Sequence, residues 1–341
     1  MEHQSGRCLS VRVLLLTEKE IEPLLSMPEV MDAVESAFKE KGLGFVQMPP
    51  KIYLSYTKYN GDLRAMPSYL ERLGVSAVKV VNAHPDNQAK FGLPTVMATI
   101  ILIDPRNGAP LAIMDGTRIT AMRTGAAGGL AAKYLARQNS KVVGLVGAGT
   151  QSRTQLEALL AIYKKLDLVK VWSRTKESRE KFASEMKAAY EGLTDIASVE
   201  RTEDAVRGVD ILVTTTPSRA PIVMDKWVTK GTHVTCIGAD APGKEELDPD
   251  ILKRSKIVVD DWEQASHSGE INVPLAQGKI TRGNVWGDIC EIAAGQKLGR
   301  TSEGEVTVFT STGLAVQDAV TAKLAYDKAL QKKVGRWIEL L

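Results

Sequence analysis

The chain has 341 residues, of which 44% are hydrophobic and 25% are charged, a composition and length that suit a globular protein with two well-buried domains. The formal net charge is +3 and the lysines and arginines are scattered, so the charge gives no case for nucleic acid or a membrane surface as a partner. Cys8, Cys236 and Cys290 lie far apart without a CxxC motif, which predicts reduced structural thiols and no metal site.

The N-terminal residues MEHQSGRC predict a loose extension before the first apolar run. That run, VRVLLL at residues 11–16, is too short for a signal peptide and is followed at once by TEKEIE. No stretch approaches the roughly 18 apolar residues that a membrane span requires. We therefore expect a cytoplasmic protein that does not bind membranes.

Residues 17–43 predict a helix or a helix pair, with Pro28 near a helix start and Gly42 near its end. A β region follows, in which KIYLSY and LRAMPSYL flank a hairpin turn built on Asn60-Gly61. Further strand candidates are VSAVKVVNA, PTVMATIILID and APLAIMD, and the turn DPRNG separates the last two. This part of the chain predicts a mixed sheet.

From Thr120 the small-residue segment TAMRTGAAGGLAAKYLARQ predicts a helix that packs closely against the next domain. Strands and helices then alternate from Lys141 to about Phe309, which is typical of a doubly wound parallel sheet. The last run, GLAVQDAVTAKLAYDKALQKK, predicts an amphipathic helix that returns to the first domain. The fold class is therefore α/β, with an additional α+β domain.

The stretch NSKVVGLVGAGTQS at residues 139–152 is the most informative one in the chain. An apolar strand ends in Gly147, which suits a tight turn, and Gly149 lets a pyrophosphate approach the free N–H groups of the helix that follows. Ser152 stands where the usual G-x-G-x-x-G motif has its third glycine. Because a strand precedes the glycines and a helix and a second strand follow them, we predict a dinucleotide site.

The end of the second strand bears on the choice of cofactor. An NAD enzyme usually has an acid there to hold the ribose 2′-hydroxyl, but residues 171–176 read VWSRTK. Ser173 can bond a 2′-phosphate, and Arg174 and Lys176 can neutralise it. This favours NADP(H), while a stacking role for Arg174 on the adenine of NAD(H) stays open.

Charged residues also stand where a core or a plain loop would not need them. Lys51, Arg64, Lys79 and Arg123 each fall at the edge of a predicted strand or helix or inside an apolar one, and Asp240 comes just after a strand of the nucleotide domain. Ligands bind at that carboxyl edge of open α/β sheets. Together these residues suit an anionic carboxylate substrate and an acid–base group.

From about Leu16 to Lys332 the sequence resembles the ornithine cyclodeaminase/μ-crystallin family. The matching stretches are QMPPKIYL, GDLRAMP, KVVNAHP, GLPTVMATIIL, APLAIMDGTRIT, MRTGAAGGLAAKYLA, VGAGTQS, VTTTPS, IGADAPGKEELD, VVDD, GEI and STGLAVQD. Within the family, the sequence is most similar to the branch of archaeal-type alanine dehydrogenases. At Ser173-Arg174 it departs from the NAD-using members, which have an acid there, and resembles the NADPH-using μ-crystallin.

The resemblance implies a homodimer. It also implies that residues 1–125 with 312–341 form a substrate-binding and dimerisation domain and that residues 126–311 form a Rossmann domain. The family has an active-site acid at Asp240 and substrate contacts at Lys51, Lys79 and Arg123. The expected substrate set is Lys51, Arg64, Lys79, Arg123 and Thr312. The expected cofactor set is Thr95, Arg123, Gly147, Gly149, Thr150, Gln151, Ser173, Arg174, Thr215, Ile237, Lys244 and Ser311.

The first functional hypothesis is NAD(P)-dependent reductive amination of pyruvate to L-alanine and its reverse. Arg64 and Arg123 would hold the carboxylate, and Lys51 and Lys79 would polarise the C2 oxygen or shuttle protons. Asp240 would position and deprotonate the attacking water or ammonia. The protein would orient the cofactor that carries the hydride.

Three alternatives stay open. Ornithine cyclodeamination to proline begins with the same oxidation, but Arg64 would repel the second ammonium of ornithine. Reduction of a ketimine or of Δ1-pyrroline-2-carboxylate fits the NADP-like strand end. A non-catalytic binding role is disfavoured by the intact set of Lys51, Arg64 and Asp240.

Overall fold

A computed structural model describes residues 10–340, so the predicted N-terminal extension and Cys8 lie outside the described residues. Among the helices of this part of the chain, none is long and apolar enough to traverse a bilayer. The strands are β1 (Arg12–Leu16), β2 (Val46–Gln47), β3 (Ile52–Tyr56), β4 (Gly61–Leu70), β5 (Val75–Ala83), β6 (Val96–Ile103), β7 (Pro110–Asp115), β8 (Val142–Val146), β9 (Leu168–Trp172), β10 (Asp195–Ser198), β11 (Ile211–Thr214), β12 (Arg219–Val223), β13 (His233–Cys236), β14 (Glu245–Leu247), β15 (Lys256–Val259), β16 (Val285–Asp288), β17 (Thr307–Thr310) and β18 (Arg336–Glu339). The helices are α1 (Glu18–Ile21), α2 (Met27–Gly42), α3 (Asn87–Phe91), α4 (Thr117–Leu135), α5 (Thr150–Tyr163), α6 (Lys176–Ala189), α7 (Thr202–Val206), α8 (Pro249–Lys253), α9 (Trp262–Ser268), α10 (Asn272–Ala276), α11 (Ile289–Ala293) and α12 (Ala315–Lys332).

The chain divides into two compact units. The first unit comprises the residues up to Leu25, Gln47–Thr120 and the residues from Asp318 on, and the second comprises Ser26–Val46 and Ala121–Gln317. This division differs from the expected domain boundaries, because α2 packs against α5 and α11 and so belongs to the second unit rather than the first. The roles of the two units in substrate binding and dimerisation stay a prediction.

The first unit is built on a mixed sheet with the strand order β18-β1-β7-β6-β5-β4-β2, and β3 pairs with β4. Strands β1 and β7 run parallel, whereas each neighbouring pair from β3 to β7 is antiparallel. The predicted mixed sheet is therefore confirmed. Strand β18, which pairs with β1 at the sheet edge, was not predicted from the sequence.

The hairpin predicted at Asn60-Gly61 joins β3 to β4. Asn60 adopts a left-handed conformation with φ 48°, which asparagine tolerates better than most residues, and β4 begins at Gly61. The antiparallel register places Tyr53 opposite Arg64. Lys51 lies directly before β3 rather than on it, which corrects its predicted place.

One face of β4 and β5 is buried. Alternate residues of both strands are buried, Arg64 and Met66 among them on β4 and Lys79 and Val81 on β5. Met66 pairs with Lys79 and Arg64 pairs with Val81 in the register. Because side chains alternate along a strand, the two cations Arg64 and Lys79 lie on the same, otherwise largely apolar, face.

The second unit is a parallel sheet with the strand order β10-β9-β8-β11-β13-β17-β15-β16. Successive residues of β11 belong to different core clusters: Leu212 packs with Val234 and Val308, whereas Ile211 and Val213 pack with the other cluster. Both faces of the sheet are therefore covered, as a doubly wound fold requires. The predicted fold class is confirmed.

Small residues allow α4 to approach α5 closely. A Cβ atom on Gly125 would lie 2.5 Å from the carbonyl oxygen of Thr154, so no larger residue fits there without a shift of the helices. The amide of Gln155 donates to the carbonyl of Thr124 at 2.8 Å. This close contact positions the N-terminal half of α5 on the sheet.

Candidate functional site

The turn between β8 and α5 has the geometry expected of a phosphate-binding turn. Gly147 has φ 126°, a conformation that side chains rarely adopt, and its N–H donates to the carbonyl of Trp172 at 2.8 Å. Ser152 is fully buried, and its hydroxyl donates to the carbonyl of Gly147 at 2.9 Å and lies 2.8 Å from Thr215 Oγ1. A serine at the third glycine position therefore fastens the turn to the helix by hydrogen bonds.

A cavity of about 510 Å³ opens over this turn. It lies at the carboxyl ends of β8, β9 and β11, where parallel sheets of this kind bind nucleotides. Its lining residues are Gly147, Ala148, Gly149, Trp172, Ser173, Arg174, Thr175, Ser178, Thr215, Thr216, Pro217, Ser218 and Ile222.

The residues of the turn fit a dinucleotide. A Cβ atom on Gly149 would meet nothing within 4 Å, so there is room for a phosphate against the backbone. Gly149 caps the 14-residue helix α5 without a side-chain cap, so the N–H groups of Thr150 and Gln151 face that space with the positive end of the helix dipole. Gln151 Oε1 is buried without a hydrogen-bond partner among residues 10–340, as expected of a group that hydrogen-bonds to a bound ligand.

The rim of the cavity after β9 is basic. Ser173 is largely buried, its hydroxyl donates to the carbonyl of Thr175 at 3.0 Å, and its own carbonyl accepts from Arg179 Nη1 at 3.4 Å. Arg174 is exposed at the cavity wall. None of the described residues lining the cavity is an acid, so nothing in its wall repels a ribose phosphate.

Asp240 lies on the segment that follows β13, at the carboxyl edge of the same sheet. Its Oδ1 accepts from Nζ of Lys244 at 2.6 Å, and its side chain is 37% exposed, so the carboxylate can reach a ligand. Ile237, also predicted at the cofactor site, is buried and donates its N–H to the carbonyl of Thr214 at 2.9 Å. The carboxylate and ammonium form a partly buried ion pair whose geometry permits proton transfer.

A buried acid that the sequence analysis did not single out organises the segment after β17. Asp260 Oδ2 accepts from the N–H groups of Thr312 at 2.6 Å and Gly313 at 2.8 Å, and from Oγ of Ser311 at 3.3 Å. Asp260 is the first acid of the VVDD stretch, directly after β15. Its position directly after a predicted strand is the sequence signal by which Asp260 could have been identified as a site residue. It fixes two predicted site residues, Ser311 and Thr312.

Arg123 is held beside this segment. Its Nη1 donates to Oε1 of Gln317 at 2.8 Å, and Gln317 Oε1 also accepts from the N–H of Leu314 at 3.1 Å. The guanidinium lies directly against Gly313, whose φ of 78° and missing Cβ leave the space for it. The second unit thus brings Arg123 together with Ser311 and Thr312.

In the first unit Arg64 forms a two-point contact with an acid on its own strand. Its Nε lies 3.2 Å from Oδ1 of Asp62 and its Nη2 lies 3.0 Å from Oδ2. The guanidinium is also 5.5 Å from the ring centroid of Tyr53. These contacts fix the plane of the guanidinium, which suits a group that recognises a carboxylate.

Lys79 forms a buried ion pair that sequence reasoning missed. Its ammonium lies 2.7 Å from Oδ2 of Asp318 and 3.3 Å from the hydroxyl of Thr120, and its side chain is 1% exposed. Asp318 is contributed by α12, far along the chain, so no local pattern pointed to it.

The remaining predicted residues of the first unit flank its strands. Lys51 is half-buried directly before β3, and Thr95 is exposed directly before β6, where its carbonyl accepts from the N–H of His84 at 2.8 Å. Thr95 thus belongs to the first unit, whereas the other predicted cofactor residues belong to the second.

Comparison with known proteins extends over nearly the whole chain. The Ornithine cyclodeaminase/mu-crystallin family profile matches residues 11–333. The alanine dehydrogenase of Archaeoglobus fulgidus is 53% identical over 96% of this chain and 99% of its own length. A solved archaeal alanine dehydrogenase dimer with bound NAD is 51% identical, with a TM-score of 0.92 over 97% of this chain and 100% of that chain. The Δ1-pyrroline-2-carboxylate reductase of Thermococcus litoralis, solved with NADH and L-proline, is 44% identical, with a TM-score of 0.91 over 95% of this chain and 99% of that chain.

Proposed function

The chain belongs to the ornithine cyclodeaminase/mu-crystallin family and is an oxidoreductase that uses a nicotinamide cofactor, and within this class we propose that it is an alanine dehydrogenase. The reaction is the reductive amination of pyruvate to L-alanine and its reverse. The observation that carries the proposal is the high identity with the Archaeoglobus fulgidus enzyme along both chains. The cavity over the Gly147–Gly149 turn and the partly buried Asp240–Lys244 pair agree with it.

Each of the two units contains one arginine suited to binding a substrate carboxylate. Arg64 lies on a largely apolar face, and its two-point contact with Asp62 holds it in a fixed plane. Arg123 is held by Gln317 and Gly313 in the second unit. Guanidinium groups bind carboxylates through paired hydrogen bonds, which orients the substrate as well as holding it.

Asp240 is the acid–base group for the nucleophile that adds to C2. It deprotonates the attacking ammonia in reductive amination and the attacking water in oxidative deamination, and Lys244 at 2.6 Å stabilises the ionised form that acts as the base. Lys51 and Lys79 polarise the C2 oxygen or pass protons to it. When bound, the nicotinamide dinucleotide supplies or accepts the hydride.

NADP(H) is the favoured cofactor. Ser173 and Arg174 line the cavity, and the lining contains no acid in the part of the chain that the structure describes. A guanidinium on the rim supports a 2′-phosphate. The alternative is that Arg174 stacks on the adenine of NAD(H), the cofactor bound by the solved archaeal relative.

Reduction of Δ1-pyrroline-2-carboxylate is the second candidate. It is favoured by the similarity to the Thermococcus litoralis reductase and requires the same carboxylate clamp and acid–base group. Ornithine cyclodeamination is a weaker candidate, because the guanidinium of Arg64 disfavours a second ammonium in its neighbourhood.

A homodimer is proposed as the functional assembly. The first unit exposes large apolar side chains that water does not favour, among them Ile52 at 59%, Leu54 at 53% and Phe91 at 70% exposure. The solved archaeal alanine dehydrogenase is a dimer.

Initial-rate assays on a substrate panel test the proposal. The purified protein is given pyruvate with ammonium, Δ1-pyrroline-2-carboxylate, or L-ornithine, each with both cofactors in the appropriate redox state. We expect the highest kcat/KM with pyruvate and ammonium. A higher value with the cyclic imine would replace the proposal by the second candidate. Absence of turnover with all three would leave a binding role.

A further inference from the structure

Two buried acids, which the proposed function does not use, lie next to the segment that carries Asp240. Glu246 belongs to the matching stretch GADAPGKEELD and Glu270 to the stretch GEI, and both side chains have no solvent exposure. Among the described residues, neither carboxyl has a lysine or arginine within ion-pair distance. Buried charges without a cation are costly, so the hydrogen bonds around the two acids decide which of them is ionised.

Glu246 is surrounded by donors. Its Oε1 accepts from the N–H of Thr216 at 2.6 Å and from the hydroxyl of that residue at 2.7 Å. Its Oε2 accepts from the hydroxyl of Thr214 at 2.6 Å and from the N–H of Gly238 at 3.0 Å. A carboxylate accepts all four bonds, whereas a protonated acid would require one of the two hydroxyls to turn and accept instead, so the donors favour Glu246 as the ionised member.

Glu270 has a different environment. Its Oε1 accepts from the N–H groups of Glu246 at 2.8 Å and Leu247 at 2.7 Å, whereas its Oε2 is buried without a hydrogen-bond partner within residues 10–340. A neutral carboxylic acid needs no counter-charge for that oxygen, whereas a carboxylate would leave a charged oxygen unsolvated. Glu270 is therefore the neutral member.

Electrostatics support the same assignment. Burial and the nearby charge of Glu246 raise the pKa of Glu270 well above its ordinary value. Burial raises the pKa of Glu246 to about 7, and its four donors oppose that rise. The other titratable groups that face the pair are the Cys236 thiol, whose pKa burial raises, and Glu245, whose pKa burial raises against the opposing charge of Lys279.

The same segment holds the Asp240 loop at a second point. We define the 238–244 loop as the residues from Gly238 to Lys244. Asn272, two residues after Glu270, accepts from the N–H of Gly243 at 2.9 Å and donates to the carbonyl of Lys244 at 2.8 Å. Glu246 fixes the start of the loop through the N–H of Gly238. Both ends of the loop are therefore fastened to buried side chains.

We propose that Glu246, held as a carboxylate, and Glu270, held as a neutral acid, form a positioning pair that sets the place of the 238–244 loop and thereby of Asp240. The pair does not touch substrate or cofactor. It acts through the N–H of Gly238, which donates to Glu246, and through the N–H groups of Glu246 and Leu247 on β14, which donate to Glu270. The inference rests on the proposed acid–base role of Asp240.

Isosteric variants distinguish the two members. In Glu270→Gln the amide oxygen still accepts from both N–H groups. Glutamine is also uncharged and has nearly the same shape as a neutral glutamic acid, so turnover is expected to stay within about twofold. In Glu246→Gln an amide N–H₂ must face either the Thr216 donors or those of Thr214 and Gly238, so the loop shifts. A shift of this kind costs about 10²-fold in turnover.

A double-variant comparison separates positioning from a general folding defect. If Glu246 acts through Asp240, adding Glu246→Gln to Asp240→Asn causes little further loss of turnover per folded protein. A merely structural role would give the same fractional loss in both backgrounds. Equal losses in the two backgrounds, or wild-type turnover of Glu246→Gln, would overturn the positioning role.

Infrared spectroscopy tests the protonation states without any substrate. At about pH 8.5 ordinary carboxyls are ionised, and the wild type is expected to show a protonated carboxyl C=O band that Glu270→Gln lacks. An unchanged band would overturn the mixed pair, even if Glu246→Gln failed to fold. If Asp240→Asn alone keeps full turnover, the acid–base proposal fails separately while the infrared result stands.

Discussion

The ammonium of Lys79 lies 2.7 Å from a carboxylate oxygen of Asp318, and the two side chains are 1% and 2% exposed. Lys79 stands in the middle of β5 and Asp318 near the start of α12. The attraction within such a pair roughly offsets the cost of removing both charges from water, so the pair adds little net stability but is costly to break. Because the pair is costly to break, the position of α12 in the first unit depends on the ion pair between Asp318 and Lys79.

Asp318→Asn is expected to lower the free energy of unfolding by about 3–5 kcal/mol, because it removes the carboxylate beside a buried ammonium. Urea denaturation measures the loss. The control is Asp327→Asn on the same helix, which breaks the exposed pair between Lys323 and Asp327 and is expected to cost at most about 1 kcal/mol. Similar small losses in the two variants would show that the buried pair is not needed.

Asp240→Asn keeps the volume of the side chain and removes the base. We expect turnover to fall on the order of 10²-fold or more, with the affinity for the cofactor nearly unchanged. The control Asp250→Asn removes an exposed acid, paired with Lys253, elsewhere in the second unit and is expected to leave turnover unchanged. Near wild-type turnover of Asp240→Asn across pH would refute the assignment, and a loss of stability alone would make Asp240 a structural residue.

Arg174→Ala tests the preference for NADP(H). Loss of a charge-assisted bond to the 2′-phosphate is expected to weaken NADP(H) binding by roughly 1.5–3 kcal/mol and to leave NAD(H) nearly unaffected. Fluorescence titration of both cofactors into wild type and variant measures this. Lys181→Ala, an exposed cation on α6 beside Glu185, is the control. If the wild type prefers NAD(H) tenfold or more, Arg174 does not recognise a phosphate.

His233 predicts an acid-side loss of stability. Burial, with a contribution from Arg300, lowers its pKa from 6.5 to about 3 in the folded protein. Between these values the unfolded chain binds a proton that the folded protein does not. This residue therefore makes the unfolding free energy decrease as the pH is lowered, by up to about 1.4 kcal/mol per pH unit. The raised pKa of Glu246 acts in the opposite direction between about 7 and 4.5, so a comparison with variants is needed.

Urea denaturation over a pH series provides that comparison. His233→Gln is expected to show a shallower acid-side loss than wild type, since it removes the titrating ring from its contacts with Thr235 and Thr307. Identical slopes in the two proteins would contradict a neutral buried His233.

Features of the fold set by neighbouring residues could be predicted from the sequence. The β8–α5 turn follows from Gly147, whose positive φ of 126° requires glycine, and the β3–β4 hairpin follows from Asn60-Gly61. Lys79 stood out because a cation interrupts an apolar alternation. In each case the signal lies within a few residues of the feature.

Partners supplied by distant segments could not be predicted. Three acids have roles that depend on contacts formed only in the folded chain, namely Asp318, Asp260 and Glu270. Nothing in the sequence around any of them indicates which residues those contacts involve. Strand β18 was missed because RWIE is only four residues long and its partner strand β1 lies at the other end of the sequence. The place of α2 in the second unit depends on its packing against α5 and α11, which its own pattern does not reveal.

Deuterium transfer is the most direct test of whether this chain is an alanine dehydrogenase. The purified protein is incubated with pyruvate, excess ammonium and NADPH or NADH deuterated at both C4 positions, and the product is analysed by mass spectrometry and proton NMR. We predict L-alanine that carries one deuterium at Cα. Failure to form alanine, together with deuterated proline from Δ1-pyrroline-2-carboxylate under the same conditions, would contradict the proposal.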